Sequence, residues 1–61
     1  VTPEQERWAE ALAIDQQYGD QAHVHIAERV GAMAAAGDPA GMERWCQIAA
    51  KLDQLRRGVL Q

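Results

Sequence analysis

His23, His25, Cys46 and Asp15 are the side chains of this sequence with chemistry to offer beyond packing. Two histidines so close together suggest a metal pair. On a helix, residues two apart point about 200° away from each other, so they cannot share one ion. A metal site would need ligands from a second helix or a second chain. His23 is therefore read as a residue at the border of an apolar face. His25 is read as solvent-facing, with Glu28 one turn on. Cys46 stands between Trp45 and Gln47 with no base beside it in sequence. A catalytic thiol needs an activating base and an electropositive setting, so Cys46 is expected as small filler beside the core. Ser is absent and Thr2 is the one threonine, which nearly removes hydroxyl nucleophiles. No catalytic residue, cofactor or metal site is expected, and the chain is read as non-enzymatic.

Asp15 falls on an otherwise apolar helix face between Trp8, Leu12 and Tyr18. A carboxylate there needs a partner. Arg29 and the indole N–H of Trp45 are the candidates, and the expected role is a tie between helices. Trp8 and Trp45 are both expected inside, packed together or side by side.

The elements that must position these residues are marked by turn chemistry. Thr2 is an N-cap, Pro3 suits the first helical position, and Gln5 completes a capping box. A helix is predicted over 3–18, with Gly19 as its stop. Its apolar face carries Trp8, Ala11, Leu12, Ile14 and Tyr18, while Glu6, Glu10, Gln16 and Gln17 lie away from it. Asp20 is expected to cap a second helix over 20–36, with Ala22, Ile26, Val30 and Met33 inward. Gly37 stops it. Asp38 and Pro39 open a third helix over 39–57, whose inward stripe is Gly41, Met42, Trp45, Ile48, Ala49, Leu52 and Leu55. Gly58 ends it, and Val59 or Leu60 can fold back on the last turn. The fold class is all-α, a compact three-helix domain spanning 1–61 as one unit. Connections this short make successive helices neighbours.

Sixty-one residues allow one domain with a small core. The single cysteine excludes an internal disulfide framework. Without a signal peptide or long apolar run, the expected location is the cytoplasm, with no membrane association. Net charge is −3, unevenly spread. Residues 1–38 carry seven acids against Arg7 and Arg29, whereas residues 39–61 carry two against Arg44, Lys51, Arg56 and Arg57. Helix dipoles account for part of that asymmetry, and it is too small to imply nucleic acid.

Two surfaces remain for a partner. On the second helix, Gly31 within Ala27, Ala34 and Ala35 suggests close backbone approach, since a helical glycine costs roughly 1 kcal/mol against alanine. The approach is expected first within the chain, with Ala27 and Ala34 adjoining the core. Val24, Glu28, Gly31 and Ala35 outline a contact face for a homodimer or another protein. On the third helix, Arg44, Gln47, Lys51 and Gln54 form one polar face, the pattern of a recognition helix able to meet base edges and phosphate. The negative net charge opposes that reading.

The segments Arg7-Trp8-Ala9-Glu10-Ala11-Leu12, Tyr18-Gly19-Asp20, Ile26-Ala27-Glu28-Arg29 and Gly37-Asp38, with Trp45, resemble a family of short bacterial proteins of unknown function. The likeness covers nearly the whole chain. It implies a self-contained helical protein and carries over no active site. The leading expectation is a small cytoplasmic interaction or regulatory module. The alternative is a DNA-binding regulator of helix-turn-helix type.

Overall fold

The computed structural model describes residues 1–58. Among them there is no strand. Helix α1 spans Pro3–Tyr18, α2 spans Ala22–Ala35 and α3 spans Pro39–Arg56. A single 3-10 turn, Gly19–Gln21, joins α1 to α2. No non-helical residue intervenes, so the chain is helical without a break from 3 to 35. The three expected segments are thus present as pieces, arranged in two helical runs.

The first helix starts as its sequence predicts. The Thr2 hydroxyl accepts from the Gln5 N–H at 3.1 Å, and Gln5 Oε1 accepts from the Thr2 N–H at 2.9 Å. Its end also falls where expected. Gly19 has φ 55 and ψ −121, a conformation a Cβ strongly disfavours, and its N–H donates to the Asp15 carbonyl.

The second boundary departs from expectation. Helix α2 begins at Ala22, not at 20, and no side chain caps it. Asp20 lies inside the 3-10 turn. The same Gly-Asp pair at 37–38 behaves differently, and proline supplies the reason. A residue preceding proline is pushed out of the α region, so Pro39 holds Asp38 extended at φ −117, ψ 84. From there Asp38 Oδ1 accepts from the Gly41 N–H at 2.9 Å. Asp20 precedes Gln21 and meets no such constraint.

Asp38 also closes α2. Its N–H donates to the Met33 carbonyl at 2.9 Å, and the Gly37 N–H donates to the Ala34 carbonyl at 3.1 Å. With Gly37 at φ 70, these two bonds make a Schellman end. One aspartate therefore terminates α2 through its backbone and starts α3 through its side chain. Helix α3 ends at Arg56, one residue before the expected 57. The expected fold-back of Val59 or Leu60 lies outside the described residues.

Helices α2 and α3 form an antiparallel hairpin. Residue 23 meets 53 near one end, and Met33 meets Gly41 near the other. Helix α1 packs mainly on α3. The core takes two residues from each helix: Ala11 and Ile14, Ala22 and Ile26, Ile48 and Leu52. Tyr18, Val30, Trp45, Ala49 and Leu55 pack around it, partly buried. Burying one such isoleucine or leucine stabilises the fold by about 1.5–3 kcal/mol.

Several inward assignments are corrected. Leu12 is 46% exposed. Both tryptophans are half-buried, and each serves a separate contact. Cys46 is exposed rather than packed beside the core. Ala27 and Ala34 are exposed as well. The common reason is that three short helices cover only part of one another's surface, which leaves the margins of a broad apolar face open to water.

Candidate interaction surfaces

The polar residues organise into a seam between α1 and α3. Lys51 Nζ lies 3.4 Å from Glu4 Oε2 and 5.0 Å above the Trp8 ring. Arg7 Nε donates to Gln47 Oε1 at 3.1 Å, and Arg7 Nη1 donates to Glu10 Oε1 at 2.9 Å. Arg44 Nη2 donates to the other oxygen of Glu10. Positions 4, 7 and 10 thus meet 51, 47 and 44 in descending order. Glu10, expected to lie away from the packed face, instead sits half-buried between two guanidinium groups. Burial pushes its carboxyl up, but hydrogen bonds and charge from Arg44 and then Arg7 prevail and hold it below the usual 4.5. The same hydrogen bond, donated to Glu10, holds the Arg44 guanidinium above its ordinary range.

Asp15 does find a cation, though not the expected one. Its Oδ1 accepts from Arg56 Nε at 3.1 Å and from Arg56 Nη2 at 2.7 Å. Arg56 Nη2 also donates to the Gly19 carbonyl at 2.6 Å. Arg29 instead sits 5.7 Å over the Trp45 ring. The last turn of α3 is thereby clamped to the end of α1 and to the turn that follows.

The histidines do separate, as the spacing requires. His23 Nε2 lies 2.8 Å from Asp53 Oδ1 across the hairpin. His25 corrects the solvent-facing expectation. Its ring stacks on Tyr18 at 4.1 Å and meets Trp45 edge-on at 5.7 Å. No group of three potential metal ligands occurs among the described residues.

The four residues of the proposed recognition face now have definite surroundings. Arg44, Gln47 and Lys51 all point into the seam with α1, and Gln54 is half-buried. Base edges would have to compete with Glu4, Arg7 and Glu10 for them. A cleft of about 290 Å³ lies along the seam, lined by Pro3, Glu4, Arg7, Gln47 and Lys51. Both of its cations already face carboxylates. A sequence signal for the seam did exist: polar ladders of matching period at 4, 7, 10 and at 44, 47, 51. Opposed ladders can join only if the helices meet there, and the sequence does not state which faces meet.

Val24, Glu28, Gly31 and Ala35 lie exposed on the outer side of α2, Val24 at 50%. The expected close approach at Gly31 within the chain is absent. Among the described residues, a Cβ built there would meet no atom beyond its own helix backbone within 4 Å.

The family model for DUF6961, a family of unknown function, matches residues 3–58. The chain belongs to this family. The match spans all three α segments and both turns, so the DUF6961 unit coincides with the helical fold described above. No curated protein and no solved structure matches the chain. No helix among the described residues is long and apolar enough to cross a membrane.

Proposed function

We propose that this DUF6961 protein is a non-enzymatic interaction module, working in the cytoplasm, whose contact face is the outer side of α2. The observation that supports this reading is Gly31. A mid-helix glycine destabilises a helix by about 1 kcal/mol relative to alanine, and among the described residues no internal neighbour uses the space it leaves. A flat face of Val24, Glu28, Gly31 and Ala35 suits close approach by a second helix, supplied by another copy or another protein. The ionic groups of α1 and α3 favour the same side, because they are largely engaged with one another.

Sedimentation across a concentration series tests the reading. Association is expected, and Gly31→Glu should abolish it by placing charge and bulk at the centre of the face. An unchanged association constant in that variant would remove α2 as the contact. The DNA-binding alternative has less support, since its three principal side chains are tied to α1. Failure of the wild-type chain to be retained on duplex DNA even at low salt would eliminate it.

A further inference from the structure

We propose that the Gly19–Gln21 turn is a hinge, through which two copies of this chain exchange α1 and form a domain-swapped dimer. The proposal goes beyond the α2 contact face and uses a different surface. Three observations carry it.

First, the apolar stripe keeps its helical phase straight through the turn. Ala11, Ile14, Tyr18, Ala22, Ile26, Val30 and Met33 are spaced by three or four residues throughout. All seven fall on one side of a continuous helix at 100° per residue. The buried residues of α1 and α2 are thus in register as one amphipathic helix, which the turn interrupts without shifting the pattern.

Second, the turn is close to helix. Tyr18 and Ala22 already have αR geometry, Gln21 departs from it moderately at φ −93, ψ 7, and the Gly19 N–H already donates to the Asp15 carbonyl as in an α-helix. Gly19 itself, at φ 55, is the positive-φ residue between 3 and 35. Its carbonyl is shared by the Ala22 N–H and by Arg56. Rotating Gly19 into the α region, with a smaller adjustment at Gln21, passes that carbonyl to the His23 N–H and fuses residues 3–35 into one rod about 50 Å long. The folded chain measures 38 Å along its greatest dimension. A rod of that length carries α1 away from its own α3.

Third, among the described residues, every side-chain hydrogen bond and ion pair that holds α1 reaches α3 or stays inside α1, apart from the Arg56 clamp on Gly19. None requires that α1 and α3 belong to the same chain. A second copy can supply Glu4, Arg7, Glu10 and Asp15 to Lys51, Gln47, Arg44 and Arg56 and cover Ile48 and Leu52. The reciprocal exchange is two-fold and closed. Near the hinge it gives up the stack of Tyr18 on His25 and the Arg56 bond to the Gly19 carbonyl.

Charge reversal at the clamp tests the exchange. Asp15→Arg and Arg56→Asp each place like charges together, whether the chain is closed or swapped with itself. Mixed in denaturant and refolded together, the two variants restore both pairs only in a swapped heterodimer. The expected result is a 1:1 dimer by sedimentation that melts well above either variant alone. The double variant in one chain shows whether the reversed pair is tolerated. If it folds and the mixture stays monomeric, the proposal is overturned. If it does not fold, Gly19→Ala decides, because alanine disfavours the turn and favours the rod. That variant should dimerise at least about tenfold more tightly than the wild type. A Gly19→Ala chain that only loses stability and remains monomeric overturns the proposal. Gly31→Glu leaves the swapped dimer intact and abolishes an α2-face dimer, so the two readings fail separately.

Discussion

Asp15 and Glu10 are carboxylates on one helix whose environments reverse the roles their sequence positions suggest. Asp15 sits among apolar residues and accepts two bonds from Arg56, which lies 41 residues away. That separation is why the partner is illegible in the sequence: Arg29 is as good a candidate until α3 is placed. With both side chains about one-third exposed, the pair contributes modestly. Asp15→Asn should lower stability by about 1 kcal/mol, whereas Glu28→Gln on the open side of α2 should change it little. Equal melting temperatures for the two variants would contradict the clamp. Glu10 contributes a pH dependence in acid. Its folded pKa lies below its ordinary 4.5, so its contribution is fully present above that value. It fades as pH falls through the lower, folded value. Wild type should therefore melt above Glu10→Gln at neutral pH and converge with it only once the pH has fallen below the ordinary 4.5 and through the lower, folded value. A gap that persists into strong acid would assign the effect to packing rather than charge.

At the scale of the element, glycine and proline made the boundaries readable, and the same two residues explain the one that was misread. Thr2-Pro3 and Gly37-Asp38-Pro39 each combine a capping side chain with a proline that fixes the backbone beside it. Gly19-Asp20 lacks the proline, and its aspartate is absorbed into a 3-10 turn. Periodicity placed Ile14, Ile26, Ile48 and Leu52 inward correctly, because these lie at the centre of each stripe. It misplaced Leu12, Ala27 and Ala34, which lie at the margins, where only the neighbour's position decides burial. The two glycines within helices show the same dependence. A Cβ at Gly31 meets open space, so Gly31→Ala should raise stability by about 1 kcal/mol. A Cβ at Gly41 would come within 2.6 Å of Met33 Sδ and 2.7 Å of Asp38 Oδ2. There the propensity gain is opposed by displacement of the α3 cap, worth about 1 kcal/mol, so Gly41→Ala should gain nothing. Equal rises in melting temperature at both sites would show that the cap and Met33 yield freely.

The whole molecule rests on six buried residues, two from each helix. In so short a chain that number leaves little reserve, because net stability is a small difference between burial and conformational entropy. The tryptophans, by size the obvious anchors, instead lie at the rim, where Lys51 and Arg29 approach their rings. Their half-buried place reflects how a bulky ring fits: three thin helices converge on a space suited to isoleucine and leucine, and an indole reaches past it. Leucine substitutions separate this arrangement from a core built on the tryptophans. Leu52 is fully buried, while Leu12 is 46% exposed. Leu52→Ala should then destabilise by about 3 kcal/mol, the cost of a core cavity, and Leu12→Ala by less than about 1 kcal/mol. Urea titrations at matched protein concentration measure both. The slope should stay constant, so that the midpoint alone moves. A Leu12→Ala effect as large as that of Leu52→Ala would mean that the Leu12 flank is covered in solution. Cover supplied by a second chain would make that loss grow with protein concentration.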